Sequence, residues 1–246
     1  MKNSPKIHAL IVAAGKGTRF GAECPKQYLR IADHTVLEHS VMSLCDQRIG
    51  DLTLVHAADD SYLSPILSSL TATYHAPIHT AIGGAERWQS VQSGLQSIQN
   101  LGASLDDWVL IHDAARPCLP KSDLAALIDV IVRIDAGDEK GDAAILASPV
   151  VDTLKFAMNG MIDHTVSREH LWQALTPQVF RLGELMDVLD QVAKLDLMIT
   201  DEASAYERFG KQVRIVSASK MNMKLTYTDD LLLLEMIIRH QKTISG

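Results

Sequence analysis

The chemistry in this chain is written in short clusters of glycine, cations and a few hydroxyls. The first is Ala13-Ala14-Gly15-Lys16-Gly17-Thr18-Arg19, with Pro25-Lys26-Gln27 behind it. Two glycines around a lysine make a turn whose backbone N–H groups can face an anion. Lys16, Arg19 and Lys26 put three cations within eleven residues, which suits a polyphosphate. A Walker A loop, G-x-x-x-x-G-K-[ST], is absent here. A dinucleotide loop, G-x-G-x-x-G, fails as well, because Phe20 holds the third place and Gly21 comes one residue late. No acidic residue ends a second strand at the distance that would take a ribose, which disfavours NAD. The plainer alternative is an ordinary βα turn with surface charges, but Pro25-Lys26-Gln27 has no evident structural purpose in such a turn.

The second cluster is Gly83-Gly84-Ala85-Glu86-Arg87-Trp88-Gln89-Ser90. Paired glycines allow close approach of backbone to a planar ligand, and the Ser90 hydroxyl can donate to or accept from a base edge. Alone, this stretch reads as well as a strand-to-helix turn. The third is His112-Asp113-Ala114-Ala115-Arg116-Pro117. Asp113 can hold a metal or a sugar hydroxyl and Arg116 a phosphate; a local Asp–Arg pair is the alternative. Further along come His164-Thr165-Val166-Ser167-Arg168, Thr176-Pro177-Gln178, Thr200-Asp201-Glu202 and Asn222-Met223-Lys224. Thr200 and Asp201 belong naturally at a helix N-cap. Lys224 precedes a helix, where an anion can be held. No HExxH, Cys/His cluster or G-x-S-x-G elbow occurs.

The elements that must carry these clusters alternate. Apolar runs at Ile7 to Ala14, Leu52 to His56, Ile78 to Ile82, Trp108 to His112 and Ala143 to Val151 read as buried strands. Helical spacing marks Val36 to Cys45, Ser61 to Leu70 (a reading Pro65 weakens unless it lies in the first turn), Arg87 to Ile98 and a helix capped by Ser122 through Arg133. Repeated βα units imply a mostly parallel, Rossmann-like sheet with helices on both faces, and ligands sit outside the carboxyl ends of its strands. The clusters fall there. After Val151 the pattern changes: Asn159-Gly160 between Thr153 to Ala157 and Met161 to Val166 signals a hairpin. Two isolated strands are marginal in water, so residues 152–168 are expected to lean on a second copy of the chain. Then follow Leu171 to Phe180, helices near Leu182 to Lys194 and Asp201 to Phe209, a strand Val213 to Ser217 and a last helix from about Thr228 to His240. No repeat or linker divides residues 1–246, so one domain with an arm is expected.

Of the 246 residues 47 % are apolar and 22 % charged, with a formal net charge of −7. That balance argues against nucleic acid, which needs a basic surface, but leaves room for a small anion at a local cation cluster. Cys24, Cys45 and Cys118 form no paired motif, as in a reduced cytoplasmic protein. No apolar signal core follows Lys2, and Leu231 to Ile238 is interrupted by Glu235 and too short to span a bilayer. A membrane protein is not expected.

AAGKGTRFG (13–21), PKQYL (25–29), GGAERWQSVQSGL (83–95), VLIHDAARPCL (109–119), HTVSREHLWQALTPQVF (164–180), TDEASAYE (200–207) and NMKLTYTDDLLLLE (222–235) together resemble the 2-C-methyl-D-erythritol 4-phosphate cytidylyltransferase family of the non-mevalonate isoprenoid pathway. The first motif is shared by many nucleotidyltransferases; HTVxR combined with LWxALTPQ is more specific. The resemblance implies that Ala13, Ala14, Gly15 and Gly17 wrap the CTP triphosphate, with Arg19, Lys26 and Lys224 in the catalytic role. It implies that Gly83, Gly84 and Ser90 recognise cytosine. It assigns Asp113, Arg116, Thr176 and Thr200 to methylerythritol phosphate, with Thr153 and Arg168 reaching the partner's site. It further implies a homodimer through the arm and Mg2+ held mainly on the triphosphate, with Asp113 a candidate ligand. The ribitol 5-phosphate cytidylyltransferase family shares similar segments and is the alternative. A non-catalytic nucleotide-binding regulator is a third reading, against which the full cationic set counts. Phe20, Trp88 and Thr228 depart from the family's usual residues, Trp88 beside the expected base pocket.

Overall fold

The computed structural model describes residues 5–15 and 24–245. The first apolar run forms β1 (Ile7–Val12), and its side chains alternate between two cores. Ile7, Ala9 and Ile11 face one, and Leu10 faces the other. Such alternation is what a strand covered on both faces requires. The chain then passes a 3-10 turn at Lys26–Tyr28 and a small hairpin, β2 (Arg30–Ile31) and β3 (His34–Thr35), which the sequence did not announce. Helix α1 (Val36–Ser43) starts on a capping box in which Thr35 Oγ1 accepts from the Glu38 N–H and Glu38 accepts from the Thr35 N–H at 2.7 Å.

The βα alternation continues through β4 (Ile49–His56), α2 (Leu63–Thr73), β5 (Ile78–Ile82), α3 (Arg87–Asn100), β6 (Trp108–Asp113), α4 (Lys121–Ala136) and β7 (Ala143–Pro149). Strand β4 begins three residues before the expected Leu52, because polar Gly50 and Asp51 hide its start while Asp51 already pairs with His8 of β1. Pro65 does lie in the first turn of α2. Ser122 is not the cap of α4: Pro120 precedes the helix in extended conformation, its carbonyl accepts the Asp123 and Leu124 N–H groups, and the Ser122 hydroxyl turns to Asp123 instead.

The arm follows as β8 (Leu154–Met158) and β9 (Met161–Val166), closed at Asn159-Gly160 with φ of 50° and 79°. Positive φ at both central residues is the type I′ geometry the Asn-Gly signal foretold. The chain returns as β10 (Trp172–Arg181), then α5 (Leu182–Lys194), α6 (Glu202–Arg208), β11 (Val213–Ser217) and α7 (Asp230–Ser245). The last helix starts two residues after Thr228, since the Asp230 carboxylate accepts the Thr226 and Tyr227 N–H groups and holds those residues outside it.

One seven-stranded sheet results, in the order β11-β7-β10-β6-β1-β4-β5. Strand β10 is antiparallel to both neighbours, β6 and β7, and the other pairings are parallel. Helices α1, α2 and α4 cover one face and α3, α5 and α6 the other, and α7 seals a third cluster with Ile31, Val36 and Cys118. Among the described residues no helix is long and apolar enough to cross a membrane.

Two features fix the head of the sheet. Helix α3 lies so close to β1 and β4 that a Cβ at Gly94 would sit 2.4 Å from Leu10 Cδ1 and 2.8 Å from Val55 Cγ2. The fully buried His112 joins β6 to β10. Its Nε2 lies 3.0 Å from the Arg116 carbonyl, which can only accept, so that nitrogen carries the proton. Its Nδ1 therefore accepts from the Thr176 hydroxyl at 3.0 Å, whose oxygen accepts the Asp113 N–H at 3.1 Å. Burial disfavours the imidazolium and lowers the His112 pKa to about 4.

Gly94→Ala is expected to overpack this contact by about 1–3 kcal/mol, more than the ~1 kcal/mol that alanine returns in helix propensity. Its thermal midpoint should fall by several degrees, and an unchanged midpoint would show that α3 can shift freely. His112 supplies a pH dependence. The unfolded chain takes up its proton at the ordinary value of 6.5 and the folded chain only near 4, so stability is lost as the pH falls through that window, by roughly 3 kcal/mol in all. Thermal midpoints measured across that window should decline less steeply in His112→Asn than in the parent protein; parallel slopes would refute the assignment.

Candidate active site

The clusters converge at the carboxyl ends of β1, β5 and β6, around a cleft of about 400 Å3. Ala13, Ala14 and Gly15 form one wall, Lys26 and Gln27 the next, Gly84 to Arg87 and Ser90 the third, and Asp113, Lys224 and Thr226 the base. Arg19 and Gly17, with Lys16, lie outside the described residues.

Local structure explains each placement. Gln27 does have a structural purpose: its buried amide donates to the carbonyls of Ala13 at 2.7 Å and Gly15 at 3.1 Å, so the 3-10 turn is clamped to the end of β1. That clamp sets Lys26, whose Nζ reaches the Leu225 carbonyl at 2.7 Å across the cleft. Gly83 packs against the first loop, where a Cβ would meet Ala14 Cβ at 2.6 Å and Ser90 Oγ at 2.7 Å. The Ser90 hydroxyl accepts the Gly84 N–H at 3.1 Å and fixes the turn before α3. Trp88 does not line the cleft; its indole donates to Glu86 at 2.6 Å and its ring packs on the apolar core.

Asp113, the last residue of β6, is the centre of charge. Lys224 Nζ lies 2.7 Å from its Oδ2, Arg116 Nε 3.8 Å from the same oxygen, and Arg87 Nη2 3.3 Å from Oδ1. Burial alone would raise the Asp113 carboxyl, but Arg87, Lys224 and Arg116 override it and hold the group well below the usual carboxylate range. Arg87 also bonds Glu202 Oε1 at 2.5 Å, and these two carboxylates outweigh its burial and hold its pKa above the ordinary value. For Arg116 burial prevails over Asp113, and its pKa is lowered. Its Nη1 donates to the Asn222 carbonyl at 2.7 Å.

The remaining expected residues are more scattered. Thr176 is buried behind Asp113, its hydroxyl engaged by His112 and the Asp113 N–H. Arg116 lines a second cleft of about 680 Å3, which shares Lys224 and Thr226 with the first and runs past Asp152 and Leu154 toward the arm. Thr153 and Arg168 are exposed at the arm's base. Thr200 lies on a separate small groove with Met198 and Ser204, and the structure does not bring it to the cleft. It is not the cap of α6; Asp201 is, accepting the Ser204 N–H at 2.9 Å. Sequence reasoning passed over Arg87, Glu202 and Gln27 as site-forming residues. The only signal for Arg87 was its place at a helix start among glycines, and Glu202 gave none, because its partner lies 115 residues away.

The family described as IspD, 2-C-methyl-D-erythritol 4-phosphate cytidylyltransferase, matches residues 7–240. A protein of Psychrobacter arcticus with that enzyme name is 43 % identical, the match covering 98 % of this chain and 94 % of that one. A Tolumonas auensis protein of the same name is 42 % identical over 95 % and 97 %. A crystal structure of a 4-diphosphocytidyl-2C-methyl-D-erythritol synthase superposes with a TM-score of 0.79 at 34 % identity, covering 96 % of this chain and all of that one, 100 %. The Francisella tularensis 2-C-methyl-D-erythritol 4-phosphate cytidylyltransferase gives 0.75 at 30 % identity over 94 % and 99 %. The matches run over nearly the whole length, and the chain belongs to the 2-C-methyl-D-erythritol 4-phosphate cytidylyltransferase family.

Proposed function

We propose that this protein joins CTP to 2-C-methyl-D-erythritol 4-phosphate, giving 4-diphosphocytidyl-2-C-methyl-D-erythritol and pyrophosphate. The observation that carries the reading is Asp113, at the head of β6 in a family-typical sheet, surrounded by Arg87, Arg116 and Lys224 beside the first loop's cleft. An oxygen of the acceptor phosphate attacks the α-phosphorus of CTP, a new P–O bond forms, and the bond to pyrophosphate breaks. That nucleophile is ionised at neutral pH, so no general base is required. His112, which precedes Asp113, is buried and neutral and serves the fold. The difficulty is bringing two polyanions together, and catalysis rests on positioning and on cations placed where charge develops. Lys26, from one wall, and Lys224, at the base, receive that charge, and the family resemblance gives Arg19 the same role.

Among the described residues no group of three or more His, Cys, Asp or Glu converges on a point. Among the described residues the carboxylates lining the cleft are Glu86 and Asp113. Because the Asp113 oxygens already face Arg87, Arg116 and Lys224, these residues fit Mg2+ held mainly by the substrate phosphates rather than by a protein cage, since this ion keeps most of its shell for water and phosphate. Bound there, it would neutralise phosphate charge. The arm supports the expected homodimer: Phe156, Met158, Met161 and Ile162 are 49 %, 64 %, 75 % and 65 % exposed, too much apolar surface for a free hairpin. The free Cys24, Cys45 and Cys118 suit a cytoplasmic location.

Pyrophosphate release from CTP is expected with methylerythritol phosphate and not with ribitol 5-phosphate, and to stop with EDTA and resume with Mg2+. Release only with ribitol phosphate would overturn the substrate; release with neither would leave a binder. Lys26→Ala should lower kcat by on the order of 10²-fold, as loss of a transition-state contact does; a change confined to KM would remove Lys26 from the chemistry. Arg168→Ala should weaken acceptor use, and mixing it with Lys26→Ala should recover activity through mixed dimers. No recovery would rule out a site shared between subunits.

A further inference from the structure

The site contains a charged group that this mechanism does not use. Glu202, the first residue of α6, is 0 % exposed. It is not needed as a cap, because Asp201 holds that role. Its place is set independently by Gln178 of β10, whose amide donates to Asp201 Oδ2 at 2.8 Å and accepts the Ala203 N–H at 3.2 Å. The two residues flanking Glu202 are thus tied to the central sheet. Its Oε1 takes Arg87 Nη1 at 2.5 Å, while Oε2 has no hydrogen-bond partner. A buried carboxylate with one orphaned oxygen is a poor device for stability.

Arg87 opens α3, the helix end that disfavours a cation, and it is held there by two carboxylates from different elements. Glu202 takes the outer nitrogen closely. Asp113 receives only long contacts, from Nε at 3.4 Å and Nη2 at 3.3 Å, both on Oδ1. Its Oδ2 is left to Lys224 Nζ at 2.7 Å. Were Glu202 uncharged, Asp113 would become the sole anionic partner of a guanidinium that prefers a bidentate grip. Arg87 would then close onto Asp113 and compete with Lys224, or turn into the cleft it lines.

We infer that Glu202 is a positioning residue: by holding Arg87 it keeps one Asp113 oxygen for Lys224 and so sets the ammonium that meets the acceptor phosphate. This rests on the cytidylyltransferase reading above. Glu202→Gln preserves shape and an acceptor for Arg87 and removes the charge. Because Arg87 retains Asp113 and is 31 % exposed, the fold should tolerate the change. The expected result is a fall of about 10–100-fold in kcat/KM for methylerythritol phosphate, as small misplacements near a reacting centre produce. KM for CTP should move less than about threefold and the thermal midpoint should stay within a few degrees. In a cycle with Arg87→Met, the double variant should be no worse than the worse single one, because both act through the same contact. Unchanged kinetics, an equal loss toward CTP, losses that multiply in the double variant, or activity that tracks the melting point would each overturn the role. A parent protein inactive on CTP and methylerythritol phosphate would instead overturn the functional reading itself.

Discussion

Three cations share one carboxylate at the head of the central strand, and the rest of the molecule is arranged to make that tolerable. Arg87, Arg116 and Lys224 would repel one another if brought together alone. Asp113 holds them within 2.7–3.8 Å, and they in turn keep it ionised where burial would protonate it. The cluster is therefore assembled before any substrate arrives. Cations fixed in advance are what phosphoryl transfer asks of a protein, because little reorganisation is left for the reacting step. A net charge of −7 over the whole chain does not conflict with this, since the field at a cleft is set by the charges lining it.

Topology decides what else can reach that point. Strand β7 runs parallel to β6, so it ends on the same side of the sheet; the arm leaves from there and returns through β10, the antiparallel strand between them. An insertion at this position must emerge beside the site, whatever its sequence. The return strand then serves the site with two side chains. Thr176 holds His112 and the Asp113 backbone, and Gln178 fixes the start of α6 and with it Glu202.

Much of this was legible in the residues, for physical reasons. Strands buried on both faces leave unbroken apolar runs, so β1, β6 and β7 could be placed within a few residues, and Asn159-Gly160 dictated its own turn. The glycine clusters and Asp113 were visible because turns at strand ends are where α/β sheets bind. What escaped depends on distance along the chain. Gln27 bonds carbonyls of another segment, and a carbonyl has no residue identity to read. Glu202 carried no mark in the sequence, because its partner Arg87 lies 115 residues away and only the fold sets the two side by side. Thr200 carries the expected motif yet lies on a different groove, so a motif places a residue near a site without fixing where its side chain goes.

The unsatisfied atoms point the same way. Among the described residues four buried side-chain atoms lack a hydrogen-bond partner: Thr53 Oγ1, Arg116 Nε, Glu202 Oε2 and Asn222 Oδ1. Three of these belong to the Asp113 neighbourhood, since Arg116 pairs with Asp113, Glu202 pairs with the Arg87 that Asp113 also holds, and Asn222 bonds both Arg116 and Thr176. Orphaned polar groups cost stability wherever they occur, and a fold selected for stability alone would spread or remove them. Three of the four lie around one carboxylate, where ion pairs rather than apolar contacts set the positions of the side chains. The surrounding apolar clusters, and the close seating of α3 at Gly94, supply the rigidity that such a centre lacks on its own.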